Sequence, residues 1–166
     1  CGKSTTAEHH SNSAVFMDDP RRRSQYMIFA EDNPDIILNG ETPRLIDEWQ
    51  HVPQFWDAIR FEVDHRDDDG QFMLTGSAVP ADMKEIHHTG TGRYGWLTMR
   101  PMSLWESGES TGEVSLSDLF LTPDRIGALN KLRLPMLAFA ACRGGWPKSL
   151  QKKTEKAALS QVTEYY

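Results

Sequence analysis

Short apolar stretches alternate with helical patterns through the first hundred residues, and this alternation limits the fold more than any other feature. Residues 14–17, 43–46, 71–75 and 94–99 read as strands bounded by turn residues. Residues 4–12, 21–31 and 80–86 read as helices between them. Phe55, Trp56, Ile59 and Val63 recur at helical spacing, which predicts an amphipathic helix over residues 54–65. Parallel strands need long crossover connections, usually helical. The pattern therefore implies an α/β fold whose largely parallel sheet is covered on both faces.

The character changes after Glu106. Residues 107–112, Ser-Gly-Glu-Ser-Thr-Gly, read as a polar linker. Helices are expected over about 115–121, 123–141 and 149–164, with Gly144-Gly145-Trp146-Pro147 breaking the last two apart. The chain thus divides into a core at 1–106 and a helical lid or linker at 107–166. Its 166 residues are 39% hydrophobic and 25% charged, as in soluble globular proteins. The formal net charge of −6 argues against nucleic-acid binding over the whole surface and leaves room for a local basic groove. Cys1 and Cys142 are too few and too far apart for a disulfide framework and fit a reducing, cytoplasmic setting. The longest apolar run, residues 134–142, is too short to span a membrane.

Four segments carry candidate chemistry. Gly2-Lys3-Ser4-Thr5 opens a helix and matches the back half of the phosphate loop G-x-x-x-x-G-K-[ST]. In that motif backbone N–H groups cradle phosphates, the lysine reaches the β- and γ-phosphates, and the hydroxyl binds Mg²⁺. The plainer alternative is a glycine at a helix start beside a capping serine. Leu45-Ile46-Asp47-Glu48 is an apolar strand ending in two acids, at the carboxyl edge where such sheets bind ligands. There Asp47 can orient Mg²⁺ and its waters, and Glu48 can polarise an attacking water; alternatively both acids simply start a solvated turn. Thr75 and Ser77 follow the next strand and offer hydroxyls to a γ-phosphate, or form an ordinary turn. Arg93 ends a Gly-rich loop over residues 89–92 and can stabilise transition-state charge in its own subunit or a neighbour's. The pairs His9-His10 and His87-His88 lack partners at metal-ligand spacing, and Arg21-Arg22-Arg23 reads as a solvated helix start.

The order of these segments resembles AAA+ P-loop ATPases. Arg44-Leu45-Ile46-Asp47-Glu48-Trp49-Gln50, then Phe72-Met73-Leu74-Thr75-Gly76-Ser77-Ala78, Gly92-Arg93, and residues 99–106 (Met-Arg-Pro-Met-Ser-Leu-Trp-Glu) look like a bacterial and archaeal AAA-domain branch. That branch carries a C-terminal nuclease-like domain of unknown function. Val15-Phe16-Met17-Asp18-Asp19-Pro20 and Gly144-Gly145-Trp146-Pro147 are similar to further motifs of the branch, so the resemblance covers residues 1 to about 150. It implies a three-layer P-loop sandwich and a site for ATP and Mg²⁺. Gly2, Lys3, Ser4 and Thr5 would hold the phosphates, and Ser4 and Asp47 the metal. Glu48 would act on the attacking water, Thr75 or Ser77 would sense the γ-phosphate, and Arg93 would be an arginine finger.

The expected function is ATP hydrolysis by a nucleotide-driven switch. It would self-associate through Arg93 and contact nucleic acid through the C-terminal domain. A non-catalytic P-loop interaction module, an inactive fragment of the ATPase and a small-molecule kinase are the alternatives. The strand and first glycine that precede this loop in the family are not in the sequence, so a chain truncated at both ends is expected. In the family that strand lies between the strands at 72–75 and 94–99. Its loss would leave a slot of about 9.5 Å, twice the usual strand spacing.

Overall fold

The computed structural model describes residues 2–66, 68–76, 92–125, 127–129 and 131–164. They fall into two compact units, Gly2–Leu97 and Thr98–Tyr166.

Successive side chains of a strand point to opposite faces, so a strand with both faces covered has no exposed position. Arg44–Asp47 is such a strand: Leu45 and Ile46 are both fully buried. It is the middle strand of the first unit. In chain order that unit contains α1 (Lys3–His9), β1 (Ser13–Phe16), α2 (Arg23–Asp32), α3 (Asp35–Leu38), β2 (Arg44–Asp47), a 3₁₀ turn at Trp49–His51, α4 (Phe55–Asp64) and β3 (Phe72–Thr75). The strands form a parallel sheet in the order β1-β2-β3. Val15, Ile46 and Leu74 share a register position. They pack with Tyr26 and Ala30 of α2, Ile37 and Leu38 of α3, and Phe55, Trp56 and Ile59 of α4. Each large apolar side chain buried in this way contributes about 1.5–3 kcal/mol against exposure. α1 buries Ala7 and approaches β2 and β3. The helical period expected over 54–65 is realised in α4, which buries Phe55, Trp56 and Ile59 and ends in two i,i+4 ion pairs, Arg60–Asp64 and Glu62–Arg66.

Residues 94–99 form no strand, contrary to the alternation in the sequence. Tyr94 stacks on Trp56 at 4.0 Å between ring centroids and donates its hydroxyl to the Trp56 carbonyl at 2.9 Å. Trp96 also stacks on Trp56, at 5.9 Å. Two aromatic side chains committed to one helix replace a backbone ladder. No slot flanked by two strands therefore exists among the described residues. The helix expected at 80–86, Ser77 and most of the loop at 89–92 lie outside them.

The second unit contains α5 (Leu116–Leu121), a 3₁₀ turn at Pro123–Arg125, α6 (Leu134–Arg143), α7 (Pro147–Leu150) and α8 (Glu155–Thr163). α5 begins with a capping box in which the Ser115 hydroxyl accepts from the Asp118 amide at 3.0 Å. The continuous helix expected over 123–141 starts only at Leu134. Pro135 lacks an N–H and is tolerated in a first turn but not in a helix interior, so α6 begins around it. The helix expected over 149–164 is likewise split, because the Thr154 side chain caps a fresh start by accepting from the Ala157 amide at 3.2 Å. Gly144 ends α6 at φ 67°. A Cβ on Gly145 would collide with the Met102 backbone, whose amide donates to the Gly145 carbonyl at 2.8 Å. Arg143 is buried and reaches both oxygens of Glu109, at 2.7 and 2.8 Å.

Candidate functional site

The in-register pairing of β2 with β3 puts Asp47 beside Thr75 at their carboxyl ends. Asp47 is only 5% exposed. A buried carboxylate must be hydrogen-bonded or it is not tolerated. Here the Thr75 hydroxyl donates to Asp47 Oδ1, while the Asp47 carbonyl accepts from the Met17 amide at 3.0 Å. The strand sequence explains the burial: the apolar pair Leu45-Ile46 fixes β2 at the sheet centre and carries the next residue in with it.

The chain turns sharply after Asp47. Glu48 adopts φ 53°, ψ 42°, a left-handed conformation that is costly for a residue with a Cβ. Its carbonyl accepts from the His51 amide at 3.0 Å, closing the 3₁₀ turn. Trp49 is buried and lies 5.0 Å from the Trp56 ring. Gln50 folds back so that its amide Nε2 donates to Glu48 Oε2.

Gly2 caps α1 at φ 86°, and its carbonyl accepts from the Thr6 amide at 2.9 Å. Lys3 and Ser4 are half-buried in the first turn and Thr5 is exposed. These residues thus open a helix that lies against the two strands ending in Asp47 and Thr75.

Arg93 sits elsewhere. Its Nε donates to Asp64 Oδ1 at 2.5 Å, and Asp64 also receives Arg60 at 2.9 Å. The Arg93 hydrogen bond holds the Asp64 carboxyl below its usual value, and Asp64 in turn raises the Arg93 guanidinium. Asp64 is the last residue of α4. Just beyond it, the Arg66 guanidinium lies over the ring of Phe72, the first residue of β3. The Arg93 guanidinium is thus held at the last residue of α4, whereas Asp47 and Thr75 occupy the carboxyl ends of β2 and β3 and Glu48 follows β2. Burial, followed by the Asp57 charge, raises the neighbouring Tyr94 hydroxyl.

Two contributors lie inside the segments at 44–50 and 72–78 that carry the resemblance, without a residue type that marks a role. Gln50 stands out only through its position two residues after Glu48, and Gly76 only as the glycine following Thr75. Among the described residues no three His, Cys, Asp or Glu side chains converge as a metal cluster, and no helix is long and apolar enough to cross a membrane.

A family model described as an AAA domain matches residues 1–107. Neither the curated proteins nor the solved structures yielded a match. The matched segment takes in the whole sheet, the Asp47–Thr75 pair and the helix opened by Gly2-Lys3-Ser4, and the chain belongs to the AAA-domain family.

Proposed function

We propose that this chain binds ATP with Mg²⁺ at the carboxyl edge of its sheet and hydrolyses it, acting as a nucleotide-driven switch. The observation that carries the reading is the buried Asp47 carboxylate, tied to Thr75 across adjacent strand ends and followed at once by Glu48. The donor set suits the group: a carboxylate and hydroxyls are the hard oxygen ligands that Mg²⁺ takes alongside phosphates. When bound, Mg²⁺ supplies neutralisation of charge on the β- and γ-phosphates.

Around that group this chain's residues have separate tasks. Gly2, Lys3, Ser4 and Thr5 bind the phosphates through the opening turn of α1, and Lys3 adds positive charge. Asp47 and Ser4 provide the metal-binding oxygens. Glu48 polarises the attacking water. Thr75, or Ser77 beyond it, senses the γ-phosphate. Arg93 stabilises transition-state charge on its own or a neighbouring subunit's nucleotide, and its pairing with Asp64, at the far end of α4 from the Glu48 turn, favours the neighbour's. This reading treats β1–β3 as part of a three-layer P-loop sandwich in the cytoplasm, with residues 107–166 as a helical lid or linker.

Glu48→Gln tests it. The substitution removes the charge and keeps the shape. The full-length gene product should still bind MgATP, while hydrolysis falls on the order of 10²-fold, as for loss of a positioned base. Unchanged turnover would remove Glu48 from the mechanism.

A further inference from the structure

The turn after β2 contains a polar arrangement that neither packing nor the roles above require. Gln50 Nε2 donates to Glu48 Oε2. A carboxylate only accepts, so the amide nitrogen must face Glu48 and the amide oxygen must face away. That oxygen, Oε1, is buried and has no partner among the described residues. Buried polar atoms are nearly always satisfied, and an exception calls for an explanation. Gly76 lies beside it. A Cβ built there would collide with Gln50 Oε1 and lie 3.2 Å from Cδ and 3.4 Å from Trp49 Nε1. Gly76 has no positive φ that would demand glycine. The missing side chain at 76 therefore makes room for the Gln50 amide.

We infer that Gln50 is a positioning residue that fixes the Glu48 carboxylate, and that Gly76 is kept small to admit it. The left-handed backbone of Glu48 directs a long, flexible side chain from a turn and not from a strand, so a hydrogen bond from Gln50 narrows where its carboxylate can go. Gly76 directly follows Thr75, so the segment bearing the γ-phosphate hydroxyl also sets the space for Gln50. The ends of β2 and β3 are then joined twice, through Thr75–Asp47 and through Gly76–Gln50–Glu48. The inference rests on the hydrolytic reading above and adds to it how the water-polarising group is held.

The test is steady-state MgATP hydrolysis by the full-length gene product as wild type, Gln50→Ala, Gly76→Ala and the double variant. Each single variant should lower kcat about tenfold with KM changed by less than about twofold, since an interaction serving only the chemical step has been removed. The double variant should be no slower than the worse single, because both changes remove the same contact. Unchanged kcat in either single variant, or losses that multiply in the double, overturns the inference. So does a joint loss of ATP binding and turnover, which marks a structural role. If Glu48→Gln abolishes turnover while Gln50→Ala does not, only this inference fails; if wild type does not hydrolyse ATP, both readings fail.

Discussion

The Thr75 hydroxyl donates to the Asp47 carboxylate across the carboxyl ends of two adjacent parallel strands. It supplies the side-chain partner of a nearly inaccessible acid. Thr75→Val keeps the shape and removes the donor. It should destabilise the protein by about 1–3 kcal/mol, the cost of a buried polar group left unpaired. Urea unfolding measures this. Thr75→Ser should recover most of it, and equal losses in both variants would mean that methyl packing matters more than the hydroxyl.

Glu48 holds a left-handed backbone at φ 53°, a conformation that Asn accepts more readily than other residues with a Cβ. Glu48→Asn should therefore be more stable than Glu48→Ala by about 1 kcal/mol, while both lose ATP turnover. That combination would show the glutamate retained for its carboxylate at the expense of backbone strain. Matching stabilities for the two variants would refute the backbone argument.

Arg93 is 43% exposed and paired to an exposed-side acid, so its removal should leave stability nearly unchanged. Its effect on turnover should be far larger, on the order of 10³-fold if it acts as a finger. Mixing Arg93→Ala with Glu48→Gln distinguishes the two geometries. Mixed assemblies pair an intact Glu48 with an intact Arg93 from the neighbour, and activity should reappear. Two inactive proteins that stay inactive when mixed would exclude action across a subunit boundary.

In the second unit Arg143 hydrogen-bonds both oxygens of Glu109 and holds its carboxyl below the usual value of 4.5. A carboxyl lowered on folding binds fewer protons in the native state. The stability it lends is fully present above its unfolded value and is lost as pH falls through the lowered folded value. Glu109→Gln should be less stable than wild type near neutral pH and should flatten the decline in stability below about pH 4.5. Glu109→Ala, which removes both carboxylate acceptors from the buried Arg143 guanidinium, should cost about 1–3 kcal/mol. Urea titrations across that pH range give all three comparisons, and an unchanged slope in Glu109→Gln would remove the pair from the acid response.

Sequence alone located β1, β2, β3 and α4 because their signals are local. Leu45-Ile46 and Phe72 to Leu74 are apolar runs of strand length, and Phe55, Trp56 and Ile59 repeat with the helical period. It also selected Asp47 and Thr75 one strand apart, since strand ends can be read from where apolar runs stop. Helix breaks were legible in principle at Pro135, inside an apolar run, and at Thr154, among the helix-favouring charged residues Lys152, Lys153, Glu155 and Lys156. Tertiary structure decided the rest. Whether residues 94–99 join the sheet depends on what Tyr94 and Trp96 meet, and both meet Trp56, some forty positions earlier in the chain. The Arg93–Asp64 pair spans 29 positions and the Thr75–Asp47 bond 28. Gly76 opposes Gln50 only because β2 and β3 are neighbours in register. Periodicity and composition report what each segment can do by itself, whereas these contacts depend on which segments the sheet brings together.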